Sequence, residues 1–232
     1  MNDEIVTMTY GDVTGDGIQD CVMIWGRRQT TIPFWKDLTL VVQDGVTGYV
    51  YSTPLDDHHG YEPVLWLGRL AEMQAEQIVV TIATGSSGAT VNAYIYTIDQ
   101  HHLRQLFSSD YYQKMYTYQV HYQDDYRVHL TSDRNNSIYS IDLSLRSSEY
   151  LDDIYDAEGQ LKKPVQGWVN PMSGFYPVDY DRDGVYDLLV YQRIAGLYNA
   201  DALGYVQNVL AWNGSMFELN QQFVSVYGHD KA

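Results

Sequence analysis

A chain of 232 residues, 45% of them hydrophobic, has material for a well-filled core in one domain. Thirty acidic residues against fourteen basic ones leave a net charge of −16. That balance argues against nucleic acid, whose binding needs clustered Lys and Arg, and against anionic membrane surfaces. No apolar run of about 18 residues is present, so no membrane insertion is expected.

The chain opens on polar Met1-Asn-Asp-Glu with no visible signal peptide, a start compatible with a trimmed form of a secreted protein. The first motif follows at once. Asp12, Thr14, Asp16 and Asp20 stand at positions 1, 3, 5 and 9 of a loop, with Gly17 at position 6 and Ile18 at position 7. Hard cations such as Ca²⁺ take about six to eight oxygens, and alternating carboxylates on a tight loop supply them. Ile18 would add a backbone carbonyl, and Gly17 permits the turn that aims the ligands inward. An EF-hand would need a bidentate Glu at position 12 and flanking helices. Position 12 is Met23, and Cys21-Val-Met-Ile-Trp25 reads as a buried strand. Cys21 is the one cysteine, so no intramolecular disulfide forms, and it reads as a small core residue.

Leu38-Thr-Leu-Val-Val42, then Asp44-Gly45, then Tyr49-Val-Tyr51 predict a hairpin. Asp56-Asp57-His58-His59 is a polar turn. So is His101-His102, and adjacent histidines face apart in extended chain, a poor geometry for chelation. Arg69 to Gln77 followed by Ile78-Val-Val-Thr-Ile82 repeats the loop-then-strand pattern with its ligands lost, Arg69 replacing the first Asp and Met73 the third ligand. Thr84-Gly-Ser-Ser-Gly88 reads as a hairpin turn, since it lacks the Lys and the helix of a phosphate loop. Three strands are predicted over Tyr116–Tyr122, Tyr126–Leu130 and Ser137–Leu143, with turns at Asp124-Asp125 and Asp133–Asn136. Residues 147–177 break the pattern as a partly helical insertion, with a short helix over Ser147–Tyr155 and a loop from Glu158 to Pro164.

The second acidic loop places Asp179, Asp181, Asp183 and Asp187 at positions 1, 3, 5 and 9, with Gly184 at 6 and Val185 at 7. Leu188-Leu-Val-Tyr191 is its strand, and Asn213-Gly214 its later hairpin turn. The bland alternative for both loops is an Asp-rich turn in which side chains bond nearby backbone N–H groups.

The loop-then-strand pattern resembles the FG-GAP/VCBS repeat family, whose members form blades of integrin-α-like β-propellers. The resemblance rests on residues 11–20 and 178–187 with the strands that follow, and covers the middle of the chain weakly. It implies Ca²⁺ held by Asp12, Thr14, Asp16, Ile18 and Asp20, and by Asp179, Asp181, Asp183, Val185 and Asp187. Thr14 departs from the all-acidic pattern, so the first site should be the weaker. The expected fold is all-β, a single propeller-like domain of four or five antiparallel blades, with units at roughly 4–55, 61–110, 115–146 and 175–228.

The functional expectation is a monomeric, non-enzymatic calcium-binding module for surface binding or adhesion, with a protein or glycan ligand. The resemblance places it outside a bacterial cell or on a cell or spore surface. A carbohydrate-binding lectin-like module is the alternative, since 22 tyrosines pair apolar rings with polar tips. Trp35 and Trp168, read as loop residues beside Pro33 and Pro171, are its candidate contacts. A glycoside hydrolase is a third possibility that the acidity alone suggests.

Overall fold

A computed structural model describes residues 3–28, 32–71 and 73–228. It is mostly antiparallel β-sheet with two short helices. The first sheet holds β1 (Glu4–Gly11), β2 (Asp20–Arg28), β3 (Phe34–Gln43), β4 (Val50–Pro54), β5 (Gly60–Gly68), β6 (Gln77–Ala83), β7 (Val91–Asp99) and β8 (His102–Ser108). The second holds β9 (Tyr118–Gln123), β10 (Arg127–Ser132), β11 (Ser137–Asp142), β12 (Gln166–Val178), β13 (Asp187–Ala195), β14 (Ala202–Trp212) and β15 (Phe217–Ser225). Helix α1 (Ser109–Met115) links the sheets, and α2 (Ser148–Ile154) precedes β12.

Each sheet is two meanders joined by a narrow seam. β3 meets β5 through Phe34 opposite Tyr61 and Trp35 opposite Gly60. β9 meets β12 through His121 opposite Gln166 and Val120 opposite Gly167. The four meanders are β1–β4, β5–β8, β9–β11 and β12–β15. The predicted turns at Asp44, Thr84–Gly88, Asp124-Asp125, Asp133–Asn136 and Asn213 all join successive strands.

The packing explains the sequence pattern. Ile78, Val80 and Ile82 of β6 enter a core with Val22, Ile24, Leu40 and Val42. Val79 points the other way, into a second core with Ala93, Ile95, Phe107, Phe175, Leu188 and Val190. A strand buried on both faces needs a continuous apolar run, and Ile78-Val-Val80 supplies it. Losing one such side chain, as in Ile78→Ala, costs about 2–5 kcal/mol. A third core joins β9–β11, Ile154 of α2 and Ile194, Leu203 and Val206 of the last meander. Burial therefore links the first meander to the second, the second to the fourth, and the fourth to the third.

Three expectations need correction. The last unit starts earlier than residue 175, because β12 runs from Gln166 and fills the end of the expected 147–177 insertion. Pro171 and Gly174 disguise that strand, and its register slips beside both. Trp35 lies in β3 and Trp168 in β12, so neither is a loop residue. Helix α1 was not foreseen. Its N-cap Ser108 accepts the Tyr111 N–H, Asp110 sits in its first turn and Lys114 in its last.

Candidate metal centre

The two acidic loops occupy the same place in their meanders. The first connects β1 to β2 and the second connects β12 to β13. Their local folds share two hydrogen bonds at equivalent positions. Gly17 donates its N–H to Asp12 Oδ2 at 2.9 Å, and Gly184 donates to Asp179 Oδ2 at 3.2 Å. Ile18 donates to Asp16 Oδ1 at 2.8 Å, and Val185 to Asp183 Oδ1 at 2.7 Å. The glycines at position 6 have φ of +85° and +82°, a left-handed turn that glycine adopts at little cost.

The loops differ in what their carboxylates face. In the second, Asp179, Asp181 and Asp183 each present an oxygen, and these oxygens lie within 4.8 Å of one another. Asp179 Oδ1 is buried with no hydrogen-bond partner. Asp187 stands below this cluster. Burial first, then the charges of Asp181, Asp183 and Asp179, raise its carboxyl above the usual carboxylate range. Converging oxygens, an unpartnered lone pair and mutual repulsion are conditions that a hard cation relieves.

In the first loop, the acids are satisfied by backbone. Asp12 Oδ1 also accepts from Gly15 at 2.7 Å and Asp16 at 3.1 Å. Asp20 is fully buried, with Oδ2 accepting from Val13 and Thr14, both at 2.9 Å, and Oδ1 from Gly45 at 3.0 Å. Thr14 Oγ1 is the polar atom left buried without a partner there. Asp12, Thr14, Asp16, Ile18 and Asp20 thus share a loop that folds as a turn stapled by Asp20. Among the described residues, the group of three or more converging acidic or histidine ligands is Asp179, Asp181 and Asp183.

The second meander carries the same device without acid. Gln77, fully buried at the start of β6, accepts from Leu70 at 2.7 Å and Ala71 at 2.9 Å through Oε1. Its Nε2 donates to the Ala75 carbonyl at 2.7 Å. Counting from Arg69, Gln77 sits where Asp20 sits counting from Asp12, and it caps the same two backbone positions. Sequence reading found the ligand loss at Arg69 and Met73 but not this surviving staple. The signal was a polar residue opening an otherwise apolar strand. Glu72, within that stretch, lies outside the described residues.

Neighbouring loops are also tied to one another. The Asp12 carbonyl accepts the Glu76 N–H at 2.9 Å, and the Arg69 carbonyl accepts the Tyr186 N–H at 2.7 Å. Each bond joins position 1 of one loop to position 8 of the next. Glu76 Oε2 adds a bond from the Asp12 N–H at 3.0 Å.

Among known proteins, a family described as YybI C-terminal domain matches residues 116–225, which begin just after α1 and span the second sheet. Over 226 residues the chain is 46% identical to "Uncharacterized protein YybI" of Bacillus subtilis (strain 168), covering 97% of this chain and 86% of that protein. No solved structure matches.

Proposed function

This chain belongs to the YybI family, and on that premise we propose that it is a non-enzymatic, calcium-binding β module with propeller-like blades, acting in surface binding or adhesion. The observation that carries the calcium reading is the convergence of Asp179, Asp181 and Asp183 around a buried, unpartnered Asp179 oxygen. Val185 would add its carbonyl and Asp187 the last carboxylate, as in the FG-GAP/VCBS pattern that the loop resembles. The first loop, with Asp12, Thr14, Asp16, Ile18 and Asp20, is the weaker site of the two. The propeller-like reading is supported by the loop device at Asp20 and Gln77 and by the repeated bonds between successive loops.

The cation's role is structural. It neutralises carboxylates at the start of β13 and so fixes a strand that feeds both the second and the third core. Calcium modules outside cells bind at about 10⁻⁴–10⁻³ M, which fits a surface or extracellular setting. No helix among the described residues is long and apolar enough to cross a membrane.

Thermal unfolding in excess EDTA, in millimolar Ca²⁺ and in Mg²⁺ tests this reading. A calcium-specific rise in Tm is expected. Equal melting in all three would sink it.

A further inference from the structure

The last meander buries one face and leaves the other partly exposed. Leu188, Val190 and Leu210 point into the second core. The alternate residues make a diagonal aromatic stripe across the strands. Tyr176 of β12 meets Tyr191 of β13 at 5.7 Å between ring centroids. Tyr191 meets Tyr205 of β14 at 6.4 Å, and Tyr205 meets Tyr227, just past β15, at 6.1 Å. The register agrees, since Tyr191 pairs with Gly174 and Gln207, and Gln207 pairs with Phe223. Gly174 makes room for the stripe, because a Cβ there would lie 2.8 Å from the Tyr176 ring and 3.3 Å from that of Tyr191. Tyr176, Phe223 and Tyr227 remain about half exposed. An aromatic stripe this open on a sheet face has a use beyond the core.

The polar groups on the face narrow the occupant. Gln207, Gln221 and Ser225 sit between the rings, and Arg193 stands opposite Tyr205. Arg193 Nε is buried with no hydrogen-bond partner, and the guanidinium lies beside the Tyr205 hydroxyl. A second copy paired about Arg193 itself would bring that guanidinium against its own mate. A nucleic acid or an anionic membrane would meet a chain of net charge −16. Half-exposed rings with amide, hydroxyl and guanidinium donors between them suit the C–H faces and hydroxyls of a neutral sugar chain.

We propose that the Tyr176–Tyr191–Tyr205–Tyr227 face binds a neutral polysaccharide, with the rings packing on pyranose faces and Arg193 donating to a sugar oxygen. This rests on the binding-module reading but not on the metal.

The test is affinity electrophoresis of the whole chain through gels holding barley β-glucan, xylan or hydroxyethyl-cellulose, together with pull-down on chitin, each in Ca²⁺ and in EDTA. Tyr176→Ser and Tyr227→Ser, singly and together, are run beside the wild type, with circular dichroism and Tm as fold controls. Retention of the wild type by at least one glycan is expected, weakened about tenfold for each ring removed, with the fold unchanged. Retention that persists in EDTA supports the face even where calcium stabilisation is absent. Retention by none of the glycans overturns the proposal, as does retention that both variants keep in full. A dimer in solution that the double variant dissolves also overturns it, assigning the face to a second copy.

Discussion

The Arg69 carbonyl accepts the Tyr186 N–H at 2.7 Å, joining the first residue of one loop to the eighth residue of the next. Asp12 and Glu76 repeat that bond one unit earlier, at 2.9 Å. Two bonds of one kind between three successive packed meanders describe a repeated step, in which each loop braces its neighbour. The acidic loop at Asp179 is therefore held at its far end by the second meander. A change in that loop should be felt as whole-fold stability, not as local fraying.

Asp181→Ala and Asp183→Ala each remove a converging oxygen. With free Ca²⁺ at about 100 times Kd, binding adds about 2.7 kcal/mol, so losing it lowers Tm by roughly 5–10 °C for a chain of this size. In EDTA both variants should melt near the wild type or slightly above it. Differential scanning calorimetry in the two buffers reads the difference, and equal losses in both would remove the metal role of these residues.

Asp187→Asn should show a sign change. The Asp187 carboxyl is raised above its ordinary 3.8, first by burial and then by its acidic neighbours. An acid that holds its proton more tightly when folded loses stability as pH climbs from its ordinary value through the raised one, and the whole penalty stands above both. In EDTA at neutral pH the Asn variant should therefore melt higher than the wild type, and the advantage should fade as pH drops toward 3.8. In saturating Ca²⁺ it should melt lower, having lost a ligand. Tm against pH in both buffers checks this, and a variant that melts lower in EDTA at neutral pH contradicts it.

Asp20→Ala should behave in the opposite manner to the second-loop variants. It leaves the N–H groups of Val13, Thr14 and Gly45 without their acceptor. At about 1–3 kcal/mol for each buried orphan, the loss should be about 3 kcal/mol or more, with or without Ca²⁺. Gln77→Leu, which strips Leu70 and Ala71 of theirs, should follow the same calcium-independent course. Urea unfolding in both buffers measures it, and a loss at Asp20 confined to calcium buffer would instead make that residue chiefly a ligand.

The strands and hairpins were legible because their causes are local. Asp-Gly and Asn-Gly turns between apolar runs at 44 and 213 closed hairpins as expected, and the period of the acidic loops located β2 and β13. What stayed hidden depends on distance. The Gly45 N–H that engages Asp20 comes from another turn, so the staple role of that carboxylate is not legible in the loop itself. Helix α1 had its capping Ser108 in view, but Tyr116, its C-cap, reads as the start of a strand because tyrosine favours strands. Tyr112 is buried by tertiary partners instead, donating to Gln192 at 3.0 Å and accepting from Asn208 at 2.6 Å. The aromatic stripe was equally out of reach, since its order depends on the register of four neighbouring segments.

Gly184→Ala isolates the backbone contribution. The space around its Cβ is open, so the cost comes from the left-handed φ of +82° alone. A penalty of about 1–2 kcal/mol is expected in EDTA, with a further drop in calcium as Asp179 and Val185 move out of line. Chemical denaturation reads the first part. A neutral effect would mean that the turn relaxes freely and does not aim the ligands.

Calcium titration calorimetry on chelator-stripped protein, wild type beside Asp181→Ala, decides whether the second loop holds a cation. Saturable binding with Kd of about 10⁻⁴–10⁻³ M or tighter is expected in the wild type, and loss of the tighter binding event in the variant. Absence of binding in the wild type, or the same isotherm from both proteins, would contradict it.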